Sequence, residues 1–485
     1  MVTELSLAGA ESGGLRRTRW GAVVAVAVAT VLVALDMSVV AVVLPDLGGA
    51  FDASPSTAQW AVLAYLIPLV ALSVPAGRWL DSAGPLPSYL LSVVGFGVAS
   101  LLIACAPAWW VLLAGRALQG VFGALVGVVA VPVIAGAVRE DQRARALGVV
   151  LTLIPLGGVV GPALAGVLAD AAGWRSIFLV NLPVVAIAVA VGARTVPVRA
   201  GDRAGLPLPD RRMWLETALL AIAVSSAFIA LDLAGRPAAN PFVALVLVVV
   251  GAAAVVGWRR LPVAADVRTL WRQPAFRRPI LALPMVTTGV GALNFLVPYL
   301  LADRDVSTSR IGAVLLAFGV GMAACSPIAG PVADRIGHAR VAVLGAVVTL
   351  AGTVSLLTAD SSAGPGDLAW RLAVVGAGNG LFASPNAAAV MAATPAGLMG
   401  LASGVTALLR TFGFALGPAL GALVWVTVGA GMPGFRAGLM VLTVAAVLAV
   451  VLSRPGRVAR PAAGRRRSRV MQWATTSSNL RAPLE

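Results

Sequence analysis

Apolar runs of roughly twenty residues recur fourteen times along this chain, separated by short polar breaks. They fall near residues 20–44, 57–74, 88–106, 109–138, 146–168, 177–192, 213–233, 241–258, 279–301, 311–332, 340–358, 367–393, 401–428 and 435–452. Each is long enough for a helix to cross the hydrocarbon core, which takes about 20 residues. In lipid the backbone must satisfy its own polar groups, so runs of this kind predict an all-α polytopic membrane protein with fourteen transmembrane helices. The first run is too long for a signal-peptide core and already contains Asp36, so it is expected to stay in the mature protein.

Composition and charge sharpen this picture. Hydrophobic residues make up 59% of the 485 positions and charged residues 12%, a ratio that a water-soluble chain could not bury. All 36 basic residues are arginine. With both termini in the cytoplasm, 28 of them fall on the cytoplasmic side, 6 outside, and Arg116 and Arg410 within spans, so the positive-inside rule fixes the orientation. A net charge of +16 therefore answers to anionic lipid head groups that flank the spans, and no nucleic-acid partner is expected. Cys105 and Cys325 both fall in apolar runs, where they pack as small apolar side chains. No metal-ligand cluster, nucleophile elbow or lysine-bearing phosphate loop is present, so no cofactor, no metal and no enzymatic activity are expected.

An internal echo organises the chain. Residues 73–87 read SVPAGRWLDSAGPLP and residues 326–340 read SPIAGPVADRIGHAR, so the pattern G-x-x-x-D-x-x-G recurs at Gly77, Asp81, Gly84 and at Gly330, Asp334, Gly337. Two copies, each placed on a cytoplasmic loop, predict two six-helix bundles related by an axis normal to the membrane, with a binding site between them. The expected organisation is a cytoplasmic N-terminus at 1–19, a first bundle at 20–193, linkers with two inserted helices at 194–278, a second bundle at 279–452, and an Arg-rich cytoplasmic tail at 453–485. Loops outside the membrane are short, so function must reside between helices.

Asp36 is the one carboxylate near the middle of a run, where an ionisable group costs about 2.5–3.5 kcal/mol to insert. Two readings fit: a permanent ion pair that staples two helices, or an acid that loads and releases a proton beside a movable cation. Arg116 lies at matching depth and is the candidate partner. In the fifth run Gly157, Gly161 and Ala165 recur at one helical face, with Pro162 beside them, and Ala313, Ala317 and Gly321 repeat that period in the tenth, so the two helices are candidates to meet. Asn181, Asn294, Asn379, Asn386 and Arg410 are candidates for a substrate cavity, against the plainer reading of hydrogen bonds between helices.

These residues together resemble the major facilitator superfamily, and in particular its fourteen-span branch of drug:proton antiporters. Leu35-Asp-Met-Ser-Val-Val-Ala-Val-Val-Leu-Pro45 resembles the branch signature L-D-x-T-V-V-N-V-A-L-P, with Ser38 for Thr and Ala41 for Asn. Arg116-Ala-Leu-Gln-Gly120 resembles the R-x-x-Q-G element tied to proton coupling, and Gly157, Gly161, Pro162 and Gly166 resemble the antiporter element G-x-x-x-G-P-x-x-G-G. Trp174-Arg-Ser-Ile-Phe-Leu-Val-Asn-Leu-Pro183 is similar to W-R-W-I-F-x-I-N-x-P. The first loop departs from the family by carrying Pro85-Leu86-Pro87 where basic residues are usual, which shifts its gating charges to Arg78 and to Asp334, Arg335 and Arg340 of the second copy. The resemblance implies a monomeric, proton-coupled efflux antiporter that exports a drug-like or lipophilic small molecule across the cytoplasmic membrane, with antibiotic resistance as one consequence. Its alternatives are a dedicated exporter of a specialised metabolite made by the cell, and an uptake symporter.

Overall fold

A computed structural model describes residues 18–81, 83–139, 142–198, 206, 208–236, 240–360, 362–395 and 398–454. The N-terminal segment before Thr18, the Arg-rich tail beyond residue 454 and part of the 194–212 linker, all singled out in the sequence, lie outside the described residues. Eighteen helices follow in order: α1 (Trp20–Val42), α2 (Leu44–Ala50), α3 (Pro55–Ala58), α4 (Trp60–Asp81), α5 (Pro85–Ala104), α6 (Trp109–Ala137), α7 (Arg143–Ala172), α8 (Ser176–Leu179) and α9 (Asn181–Thr195). After them come α10 (Arg211–Ala234), α11 (Pro241–Arg259), α12 (Val263–Trp271), α13 (Pro274–Ala302), α14 (Thr308–Ile336), α15 (His338–Leu357), α16 (Pro365–Ala392), α17 (Met399–Val428) and α18 (Met432–Ser453).

Among the described residues, twelve helical segments are long and apolar enough to cross a membrane. The helices α7 and α16, of 30 and 28 residues, stand outside that set of twelve although they run beside it. α16 carries Asp367, Arg371, Asn379 and Asn386, and in α7 the apolar stretch among the described residues is Val160–Ala172.

The packing repeats. In the first half α1 lies against α7 and α9, α6 against α4 and α5, and α5 against α9. The second half reproduces these pairings with α13 against α17 and α18, α16 against α14 and α15, and α15 against α18. Two crossings join the halves, α7 to α14 and α4 to α17, and each exchanges into the other under the same correspondence. The echo in the sequence is thus an echo of neighbours. Of the inserted pair, α11 packs on α10 and buries only Ala254, the position of a helix on the rim. By contrast α10 seats against both α4 and α17, where Phe228 meets Phe412 at 5.8 Å and Gln59 donates to Asp232 at 3.4 Å. Arg236 pairs with the same Asp232 at 2.6 Å.

The side on which α1 begins is called the near face here, and the side on which it ends the far face. The repeated G-x-x-x-D-x-x-G segments lie on the near face, yet they are mostly helix rather than loop. Gly77, Arg78 and Asp81 close α4, and Gly330, Asp334 and Arg335 close α14, because the connections that follow are only a few residues long. The side chains of Arg78 and Asp81 lie outside the described residues. Pro85 occupies the first turn of α5, where a missing N–H costs nothing, which accounts locally for the Pro-Leu-Pro departure. Gly84 has an ordinary φ of −65°, whereas Gly337 ends α14 at φ 99°, a conformation that requires glycine. Asp334 lies 3.8 Å from His338, and Arg340 donates to the Ile336 carbonyl. Cys105, expected inside a span, caps the end of α5 and is exposed.

Candidate functional site

The centre of the first half is a polar cluster sealed from solvent. Asp36 sits six residues before the end of α1 and is 0% exposed; Arg116, seven residues into α6, is 1% exposed. At 1.5 Å per residue both lie about 9–10 Å inside the far ends of their helices. Arg116 Nη1 donates to Asp36 Oδ2 at 2.7 Å, so the sequence-matched pair is in contact. The second carboxylate oxygen accepts from Gln119 Nε2 at 2.9 Å and from Asn181 Nδ2 at 3.2 Å. Both amides also reach Ser100 Oγ on α5, at 2.9 and 3.2 Å, and Ser100 donates to the Phe96 carbonyl.

The R-x-x-Q-G spacing is what builds this cluster. Residues three apart share a helix face, so Gln119 stands beside Arg116, and Arg116 also donates to its side-chain oxygen. The glycine that follows lets α6 touch α4, since a Cβ on Gly120 would overlap the Tyr65 carbonyl. That approach brings Arg116 Nε to the Ala61 carbonyl at 2.8 Å and its guanidinium over the Tyr65 ring at 4.4 Å. Five helices, α1, α4, α5, α6 and α9, thus contribute to one charge-neutral knot.

Asn181, expected in a substrate cavity, belongs instead to the Asp36 cluster, and it is 0% exposed. It opens α9 one residue after α8, and the W-R-S-I-F-L-V-N run is the turn that aims it inward. Sequence reading passed over Gln119, Ser100 and Tyr65 as partners; the i, i+3 spacing from Arg116 was the available signal for Gln119. Asn386 is also buried, at 1%, and among the described residues its Oδ1 has no donor. Asn294 on α13 and Asn379 on α16 are half-buried, and Arg410 on α17 is exposed.

The small-residue runs serve two faces rather than one. Gly157 and Gly161 pack on α1: a Cβ on Gly157 would stand 2.8 Å from the Val31 carbonyl, and one on Gly161 would overlap Ser38 Oγ. The crossing to the second half uses the residues beside them. A Cβ on Gly166 would lie 2.6 Å from the Thr308 carbonyl, and one on Gly312 would overlap the Pro162 carbonyl. The expected row on α14 is therefore misplaced by one position: Ala313 is exposed and Gly321 packs on Ala373 of α16, because Gly312 and not Ala313 carries the face toward α7.

This crossing is tied at the far face by two carboxylates of the first half. Thr308 donates to Asp46 of α2 at 3.1 Å, and the Ser309 backbone N–H donates to Asp170 of α7 at 2.9 Å. The Ser309 amide is one of the unpaired donors of the first turn of α14, so a carboxylate there also meets the positive end of the helix dipole. Burial holds the Asp46 carboxyl above the ordinary carboxylate range, opposed by the Thr308 hydrogen bond and assisted by repulsion from Asp170.

Comparison with known proteins places this geometry. The Multidrug resistance protein Stp of Mycobacterium tuberculosis is 30% identical over 412 residues, covering 83% of this chain and 75% of the relative. The Tetracenomycin C resistance and export protein of Streptomyces glaucescens is 26% identical over 442 residues, with 86% and 78% covered. The Probable actinorhodin transporter of Streptomyces coelicolor is 30% identical over 429 residues, with 83% and 72% covered. Among solved structures, a peptide transporter POT in complex with sulfate superposes with a TM-score of 0.64 at 15% identity, over 89% of this chain and 93% of that one, a likeness of fold. The Major Facilitator Superfamily profile matches residues 26–258 and 280–483. Two repeated bundles, a sealed acid–base knot and relatives among drug-resistance exporters agree: this chain belongs to the Major Facilitator Superfamily, and it is a transporter rather than an enzyme.

Proposed function

We propose that the protein is a proton-coupled antiporter that exports a small molecule from the cytoplasm, with the near face cytoplasmic and the far face outside. In this reading α7 and α16 also cross the membrane, which makes fourteen spans and fits the drug:proton antiporter branch. The arginine bias supports the orientation. The observation that carries the coupling is the cluster around Asp36: a carboxylate fully committed to Arg116, Gln119 and Asn181 and closed to water on every side. A proton cannot reach it in this conformation. Access requires the five helices to separate, so protonation and helix motion are linked: protonated Asp36 loses its ion pair with Arg116, and the released guanidinium must find other acceptors. The lone pairs of the Ala61 carbonyl and Gln119 Oε1, already in contact with Arg116, keep the cation partly satisfied in the meantime. One proton moving down a potential of 100 mV supplies about 2.3 kcal/mol, to which a pH gradient adds, and this drives export against a concentration ratio.

The test uses everted membrane vesicles with an imposed pH gradient and a fluorescent substrate of the drug-efflux type. Wild type is expected to accumulate it. Asp36→Asn keeps the shape and the hydrogen bonds from Gln119 and Asn181 but carries no titratable proton, and it should lose gradient-driven accumulation while retaining downhill exchange. Undiminished gradient-driven uptake by that variant would remove Asp36 from the coupling step.

The far-face latch gives a second expectation. In the closed far face burial raises the Asp46 pKa against the opposing Thr308 hydrogen bond, so at Asp46 this arrangement binds a proton more readily than one in which that burial is lost. Closure is therefore favoured as pH falls through that raised value and weakened as pH rises through it. Spin labels at Ala172→Cys and Asp305→Cys, in a background without other cysteines, should show the short-distance population grow on acidification. Asp46→Asn should flatten that dependence; a slope unchanged by the substitution would assign it to another group.

A further inference from the structure

Arg410 is a charge well inside the second bundle that the coupling scheme does not use. It stands eleven residues into α17, about 16 Å from the near end of that helix. Among the described residues it has no hydrogen-bond or ion-pair partner, and its side chain is exposed although it stands well inside the helix. Such a side chain looks into a space that neighbouring helices leave open.

The packing of α17 says which one. Its Gly413 and Gly417 faces lie on α13, where Cβ atoms would meet Pro284 and Ala292, and Gly404 faces Val74 of α4. Phe412, two residues on and so on the opposite side of the helix, is covered by Phe228 of the inserted α10. With α13 and α4 as flanks and α10 behind, Arg410 faces the space between the two halves. Phe414 lies one turn further along on the same side of the helix and is half-buried.

An isolated guanidinium at this depth is costly, and arginine does not escape the cost by losing its proton. No acid among the described residues compensates it. Among the described residues of the two bundles, Asp36 is the one carboxylate away from helix ends, and its oxygens are committed to Arg116, Gln119 and Asn181. The central space thus offers a free cation with a planar pair of donors, an aromatic residue one turn along the same helix, and no free anion. We propose that Arg410 receives the acidic group of the transported molecule, so that the substrate class is amphipathic aromatic acids or zwitterions bearing a carboxylate, and not lipophilic cations. This rests on the transport reading above and names its substrate class.

Purified full-length protein in phosphatidylcholine nanodiscs, titrated with pyrenebutyrate, its neutral amide and the matching trimethylammonium cation, tests the proposal. The carboxylate is expected to bind about ten- to a hundredfold more tightly than the amide, the range for a charge-assisted hydrogen-bond pair, and the cation more weakly than either. Arg410→Gln should erase the preference for the carboxylate and leave amide binding unchanged, and Arg410→Lys should restore part of it. Equal binding of carboxylate and amide by wild type, or an Arg410→Gln variant that keeps the preference, overturns the proposal. So does displacement of pyrenebutyrate by phosphatidylglycerol added to the discs, which would assign Arg410 to a lipid phosphate. Because binding is read without a gradient, the result stands apart from the vesicle test of Asp36: a charge preference without gradient-driven uptake sinks the coupling scheme alone, and the converse sinks this assignment alone.

Discussion

Replacing Arg116 with alanine is expected to destabilise the first bundle by about 3–5 kcal/mol, the cost of leaving one member of a buried ion pair without its partner. The loss is larger than for the Asp36→Asn change because Arg116 serves four acceptors or faces at once: the Asp36 carboxylate, the Gln119 side-chain oxygen, the Ala61 carbonyl and the Tyr65 ring. Removing it strands a carboxylate at 0% exposure and opens a gap between α6 and α4. Asp36→Asn also leaves a buried charge, the Arg116 guanidinium, without its counter-ion, but it opens no gap and leaves Arg116 the Ala61 carbonyl and the Gln119 oxygen as acceptors, so its stability cost should be the smaller of the two. The double variant Asp36→Asn with Arg116→Ala should recover part of the loss, since no charge is then left unpaired. Thermal unfolding in detergent, followed by tryptophan fluorescence, measures the three variants. Additive losses in the double variant would show that the two side chains do not act as a pair.

Much of this was legible in the residues, for reasons that differ from place to place. Twenty-residue apolar runs have one physical solution in lipid, so helices such as α10 and α11 match their runs to within a few residues. Matching depth suggested Asp36 and Arg116, and the two are in contact, while glycine at 120 separately lets α6 approach α4. The fate of Asn181 was not legible. An amide in an apolar helix has the same sequence signature whether it lines a cavity or satisfies a carboxylate, and only the crossing of α9 with α1 and α5 decides. The small-residue rows were half legible for a related reason. Residues one and five positions past Gly161 are turned by about 100–140° around a helix of 3.6 residues per turn, so Gly157 and Gly161 face α1 while Pro162 and Gly166 face α14. Asp46 and Asp170 escaped notice because each sits at a helix end, where an acid is ordinary, and their significance lies in Thr308 and Ser309, more than a hundred residues away in the chain.

That division of the small residues makes Gly312 the most informative position on the crossing. Gly312→Leu should block closure of the far face and abolish transport while leaving each bundle folded. The obstruction is the Pro162 carbonyl, a backbone atom of the other half that cannot rotate away. Overpacking of a tight contact costs about 1–3 kcal/mol, and when the strain can be relieved by separating two rigid bodies it appears as a shift between their open and closed arrangements. A strain of about 2 kcal/mol changes that ratio roughly thirtyfold. Gly161→Leu meets Ser38 within the same half, where separation gives no relief, so it should lower the melting temperature instead. Gly158→Leu supplies the matched control, because a Cβ there meets nothing within 4 Å. Spin-label distances between Ala172→Cys and Asp305→Cys, measured with the melting temperature of each variant, separate the three outcomes. If Gly312→Leu lowered the melting temperature as much as Gly161→Leu and left the distance distribution unmoved, α7 and α14 would be a fixed seam, and alternating access would have to be sought at the crossing of α4 with α17.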